Sequence, residues 1–177
     1  MSIVSVLSII ATGRYEMAIM LPEKEEDAAD LLVLSLAIAF LFSLTILFFV
    51  HFFNRQIALA SGVEEIKNWL YLVPLSVFLL GVFQAFNYWN NRQKLFGPIA
   101  RAKVLRTSAT SVSATAIGLA GMVKTGGMVW GQIFGEFLGS FYFVKQFLAK
   151  DFSAISKVSF SGIARNARRY KDFPLYC

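Results

Sequence analysis

The stretch from Leu31 to Phe53 contains no Asp, Glu, Lys or Arg, and it constrains the fold more than any other feature of the chain. A hydrocarbon core about 30 Å thick needs roughly 20 helical residues to cross it, and this run is long enough. In water, an uncharged helix of that length is stable only when a core surrounds it. The surplus extends to the whole chain: 56% of its 177 residues are hydrophobic, 18 are Phe and only 16% are charged. Soluble domains carry about a quarter charged residues. One core of this size cannot bury so much apolar surface, and lipid is the simplest environment to receive the rest.

Three more segments have spanning character. Trp69 to Asn91 is uncharged, with Pro74 near its start and a polar tail. Thr107 to Val123 is shorter and rich in Ser, Thr and Ala, and Thr125 to Val144 holds one acid, Glu136. Ser2 to Thr12 is about half a span. It lacks the basic flank and the following polar domain of a signal peptide. The expected fold is all-α: a polytopic bundle over residues 1–150, with four full spans and a partial N-terminal one, then a basic linker or tail over 151–177.

Basic residues divide unevenly between the connections. Residues 54–68 and the 124–127 turn carry Arg55, Lys67 and Lys124, whereas residues 92–106 carry Arg92, Lys94, Arg101, Lys103 and Arg106. From Lys145 onward there are seven more: Lys145, Lys150, Lys157, Arg165, Arg168, Arg169 and Lys171. The positive-inside rule puts the 92–106 loop and the tail in the cytoplasm. With four spans, residues 13–30 fall on the same side. The acid-rich stretch from Pro22 to Asp30 reads as the solvated first turns of the Leu31 helix rather than an ion-binding cluster, because acids favour a helix N-terminus.

Enzymatic chemistry has little to work with. One His (His51, an interfacial residue at the end of an apolar run) and one Cys (the terminal Cys177) cannot supply the usual nucleophile–base pairs. No disulfide framework, metal site or cofactor is expected, and the chain is read as a non-enzyme. The net charge of +6 reflects membrane topology, since the cations lie between apolar runs and form no nucleic-acid-binding patch.

Polar residues within the spans are the functional candidates. Gln84, Asn87, Tyr88 and Asn91 recur at three- and four-residue steps and share one helix face, which should line a wet cavity or clamp a neighbouring helix. Ser108, Ser111 and Thr115 make the third span polar, with Lys103 and Arg106 at its start. Gly127, Gly131, Gly135 and Gly139 repeat every four residues and form a groove that admits another helix. Gln132 and Glu136 make a parallel stripe; a carboxylate in mid-span suits proton coupling or cation pairing, or a structural acid that is neutral or paired.

Taken in order, several stretches resemble the O-antigen flippase branch of the multidrug/oligosaccharidyl-lipid/polysaccharide transporter superfamily, the polysaccharide biosynthesis exporters. They are Ile9 to Pro22 with the acid-rich helix start, Trp69 to Gly81, Asn87 to Arg92, Gly131-Gln132 with Gly135, and Arg169 to Pro174. The likeness covers nearly the whole chain. It implies part of a larger two-lobe transporter that works by alternating access, in a bacterial inner membrane, with this chain a fragment of the first lobe. The implied substrate is an oligosaccharide on undecaprenyl pyrophosphate, and the implied partners are a second lobe or polysaccharide assembly proteins. By the same resemblance, Arg14, Arg92, Lys103 and Arg106 would meet the pyrophosphate, and Gln84, Asn87, Tyr88, Asn91 and Ser111 the sugars. Competing readings are a cation-coupled multidrug exporter with Glu136 as its ion site, a membrane enzyme acting on lipid-linked sugars, and a non-transporting assembly subunit or truncated product.

Overall fold

The computed structural model describes residues 14–61, 69–119, 126–151 and 158–170, and the statements below refer to these. Every regular element among them is a helix: α1 (Tyr15–Ala18), α2 (Glu25–Ser61), α3 (Leu72–Arg92), α4 (Phe96–Leu119), α5 (Gly126–Lys150) and α6 (Phe160–Arg169). The half-span Ser2 to Thr12 lies outside the described residues, as does the chain beyond Tyr170.

The helix starts follow from local chemistry. Glu25, Glu26 and Asp27 occupy the first turn of α2, at the positive end of its dipole. Pro74 and Pro98 each stand third in their helices, among N–H positions that have no intrahelical partner anyway. In α2 the hydroxyls of Ser35 and Thr45 donate to the Leu31 and Leu41 carbonyls at 2.8 and 2.9 Å, which satisfies them without a neighbour. Ser43 instead donates to the Pro74 carbonyl at 2.8 Å and ties α2 to α3.

The long helices form a row in which α2 packs on α3, α3 on α5 and α5 on α4. The core lies between α2, α3 and α5. Phe83 meets Phe143 with ring centroids 5.0 Å apart, and Phe86 and Trp89 bracket Phe147 at 5.2 and 5.5 Å. Most of α4 stays outside this core; Ala102 is its one fully buried residue.

Two helices combine the length and apolarity needed to cross a membrane, α2 over Glu25–Gln56 and α3 over Leu72–Arg92. For α2, only 22% of the apolar stretch is buried, which sets it apart from the enclosed core helix of a soluble protein. Phe40, Leu41, Phe48, Phe49 and Phe52 are all exposed along it. Of the four expected spans, α4 and α5 reach spanning length, with 24 and 25 residues, but hydroxyls in α4 and the Gln132–Glu136 stripe in α5 dilute their apolarity.

Three boundaries correct the sequence reading. Residues 92–106 are not a loop: α4 begins at Phe96, so Arg101, Lys103 and Arg106 stand on a helix. The α3–α4 connection is Gln93 to Leu95, closed by Lys94 N–H to Asn91 O at 3.0 Å and Leu95 N–H to Asn90 O at 2.9 Å. This is a Schellman turn with Lys94 at φ 57°. The tail after residue 150 is not simply a linker, because α6 folds back onto the start of α2. The acid-rich start of α2 is accordingly not a wholly solvated face: Asp30 is 4% exposed, packed beneath α6.

Candidate functional site

The polar end of α3 meets α1 and the segment that follows it. Tyr88 stands within electrostatic reach of Glu16 and Arg14, and Asn91 Nδ2 approaches the Met20 sulfur at 3.7 Å. Glu16 is 2% exposed, and Arg14 enters α1 in the left-handed conformation, φ 57°. Gln84, Asn87, Tyr88 and Asn91 are all half-buried along their shared face. Asn87 Oδ1 is buried and accepts no hydrogen bond from any described residue.

Arg92, which the resemblance sets against the pyrophosphate, is engaged with backbone carbonyls. Its guanidinium donates to the carbonyls of Ile19, Pro22 and Glu23, the first at 3.4 Å and the last at 3.2 Å. Three carbonyls on one fork fix the α1–α2 connection against α3, leaving less of the fork for a phosphate.

The second cluster lies between α3, α4 and α5. Glu136 is 1% exposed. Its Oε1 accepts from Gln132 Nε2 at 2.8 Å and lies 3.8 Å from Arg106 Nη2. Its Oε2 is buried without a hydrogen bond, and Ser76 of α3 lies beside the carboxyl. The Arg106 side chain rests on Phe83, 4.9 Å from the ring centroid. The glycine stripe makes this approach possible. A Cβ on Gly131 would meet the backbone of Ala114 at 2.9 Å, one on Gly135 the side chain of Thr110, and one on Gly139 the Arg106 and Phe83 side chains at 3.1 Å. The groove therefore receives α4. Gly127 begins the stripe, and its surroundings lie outside the described residues.

Lys103 and Ser111 join neither cluster; both are exposed on α4. The periodicity of Gln132 and Glu136 was readable, but their cation, Arg106, arrives from another helix across the α4–α5 hairpin. A third constellation gave no sequence signal. Asn166 of α6 is 1% exposed and donates to Asp27 Oδ1 at 3.0 Å and Asp30 Oδ2 at 3.2 Å. Arg165 bonds Asp27 at 3.0 Å, and the Ser159 N–H donates to Asp30 at 3.3 Å. The Asn166 bond, with Arg165 beside it, holds the Asp27 carboxyl below its usual range, while burial pushes Asp30 up. A polar cleft of about 720 Å³ opens beside this contact, lined by Glu23, Lys24, Arg165 and Arg169 among others.

Among the described residues, no group of three or more His, Cys, Asp or Glu side chains is placed to hold a metal ion. No protein-family model, curated protein or solved structure matches the chain.

Proposed function

We propose that this chain is a membrane-embedded helical bundle that moves an anionic, lipid-linked oligosaccharide across the cytoplasmic membrane, as one lobe of a flippase-type transporter. The observation that carries the reading is the half-buried face of Gln84, Asn87, Tyr88 and Asn91, with Asn87 Oδ1 buried and unbonded. An amide oxygen without a donor in a helical bundle is costly, and a sugar hydroxyl is a donor of suitable chemistry. Amides, a phenol and the nearby Arg14 together suit a sugar attached to a phosphate. The sequence resemblance to polysaccharide exporters points the same way, and α2, with its exposed Phe and Leu, supplies a lipid-facing wall. Moving a lipid-linked sugar makes and breaks no covalent bond, so it asks for binding groups rather than a catalytic set.

The cation-exporter alternative uses Glu136 as the ion site. It is the weaker reading because the carboxylate already faces Arg106, 3.8 Å away, which opposes a second cation there.

A binding measurement tests the proposal without requiring a second lobe. The purified chain in lipid nanodiscs should retain an undecaprenyl-pyrophosphate-linked oligosaccharide more tightly than bare undecaprenyl pyrophosphate. Asn87→Leu should abolish the difference while leaving the bare lipid unaffected. Equal retention of both lipids by the unaltered chain, or preferential binding of an amphipathic cation, would sink the reading.

A further inference from the structure

We infer that the polar cleft between α6 and the start of α2 binds a zwitterionic phosphate ester, the ammonium–phosphate headgroup of a phospholipid of the phosphatidylethanolamine class. The site lies apart from the Gln84–Asn91 face, and its ligand is a resident lipid rather than a transported one. It shares with the reading above only the premise that α2 crosses a bilayer. The cleft measures about 720 Å³, within the roughly 300–1,000 Å³ typical of small-molecule sites. Its two walls carry opposite net charge. The wall formed by the start of α2 and the residues just before it presents Glu23, Glu26, Asp27 and Asp30, with Lys24 as its cation. The α6 wall presents Arg165 and Arg169 and, among the described residues, no acid.

Part of this charge is already used in docking α6. Asp27 accepts from Arg165 and Asn166, and Asp30 accepts from Asn166 and the Ser159 N–H. These contacts hold the two walls in place. Beyond them, Glu23 and Lys24 on one wall and Arg169 on the other are exposed, and Arg165 keeps 71% of its side chain exposed. A lone anion would face the acids, and a lone cation would face the arginines. A ligand with a phosphate and an ammonium a few bonds apart meets both walls at once. Its phosphate accepts from the guanidinium forks, and its ammonium donates to the carboxylates. The hydroxyls of Ser159 and Ser161, 2.8 Å apart on the α6 wall, add further donors for the phosphate. Depth selects a lipid as the source. The apolar run of α2 begins at Leu31, and Asp27 stands four residues earlier, about 6 Å along the helix axis. The polar layer of a bilayer is roughly 5–8 Å thick on each side, so the cleft sits at headgroup level. Leu21 and Tyr170 also line it and offer apolar contact to the glycerol end of the ligand.

The test places the full chain in nanodiscs made from equal amounts of phosphatidylethanolamine, phosphatidylcholine and phosphatidylglycerol. Native mass spectrometry then counts the lipids that stay bound on release. Phosphatidylcholine keeps both charges, but its quaternary ammonium has no N–H to donate; phosphatidylglycerol has the phosphate without the ammonium. The unaltered chain should retain phosphatidylethanolamine about tenfold over each of the others, the factor expected for one charge-assisted hydrogen bond. Glu23→Gln combined with Glu26→Gln should erase the preference over phosphatidylglycerol, and Arg169→Gln should lower retention of all three lipids. Hydrogen exchange over Phe160–Arg169 reports whether α6 stays docked in these variants, and the preference of the unaltered chain decides the matter without them. Equal retention of the three lipids by the unaltered chain overturns the site and leaves its charges to the docking of α6. That result does not touch the oligosaccharide-lipid measurement, which reads a different face. Free phosphoethanolamine that displaces the bound lipid at equal concentration overturns the assignment to a lipid.

Discussion

At the scale of single residues, two arginine and lysine positions illustrate how backbone geometry assigns work to a charged side chain. Lys94 sits at φ 57° in the turn that closes α3, where a side chain costs roughly 1 kcal/mol relative to glycine. Lys94→Gly should therefore raise the thermal unfolding midpoint in detergent by an amount corresponding to about 0.5–1 kcal/mol. A fall would mean that the lysine makes a contact worth more than the strain. Arg92 serves the opposite end of the same logic, holding three carbonyls of the α1–α2 connection. Arg92→Lys keeps the charge but loses the fork, and should cost roughly 1–3 kcal/mol. Hydrogen exchange at the backbone amides of Ile19 to Lys24 should quicken; unchanged protection there would show that the clamp is dispensable. The sequence offered Arg92 as a cation near the membrane surface. It could not show that the nearest acceptors were backbone carbonyls some 70 residues away, because that proximity exists only after α1 folds against α3.

Among the elements, the α4–α5 hairpin gives the sharpest contrast. Gly135 and Gly118 are both helical, yet a Cβ at Gly135 would meet the Arg106 carbonyl at 2.7 Å, while one at Gly118 meets nothing within 4 Å. Gly135→Ala should therefore destabilise the hairpin by roughly 1–3 kcal/mol, whereas Gly118→Ala should stabilise α4 by roughly 0.5 kcal/mol through lost unfolded-state freedom. Equal effects of the two in thermal unfolding would remove the close-approach account. The four-residue glycine repeat was visible in the sequence as a packing face, though not which helix would occupy it. The docking of α6 was not visible at all. Its donors, Asn166 and Ser159, are common surface residues, and the acids they bind read as an ordinary helix start. Asn166→Ala strips one donor from each acid and should loosen α6 by roughly 2–3 kcal/mol, seen as faster exchange over Phe160–Arg169. The acids respond to pH with opposite signs. Asp27, depressed by Asn166 and Arg165, favours docking above its ordinary pKa, and this contribution fades as pH falls through the lowered value. Asp30, raised by burial, works against docking while ionised, and acid relieves it. In an Asp30→Asn background, acid should therefore undock α6 more readily than in the unaltered chain.

For the whole molecule, the contacts collect the basic residues at one end of the row of helices. Arg92 reaches the start of α2, Trp89 near the end of α3 donates to Asp151 just beyond α5 at 3.2 Å, and α6 lies on the first turns of α2. The cations of the α3–α4 region and of the last helix are thus brought to one end, opposite Arg55 near the far end of α2. Sequence alone could propose this grouping, because alternation of charge along the chain encodes the side of the membrane on which each connection stays. It could not supply the contacts that draw the chain segments together, which span up to 152 residues. If α2 and α3 cross a bilayer, the bias of basic residues predicts the basic end on the cytoplasmic side and the end bearing Ser61 on the outer side. Cysteines placed singly by Gln93→Cys and Ser61→Cys, in a Cys177→Ser background, should differ in intact cells. A membrane-impermeant thiol reagent should modify position 61 and spare position 93, and permeabilised cells should show both modified. Modification of position 93 with protection of 61 would reverse the orientation. Modification of both in intact cells would mean that the two helices do not separate compartments, and the membrane reading would fall with the transport proposal built on it.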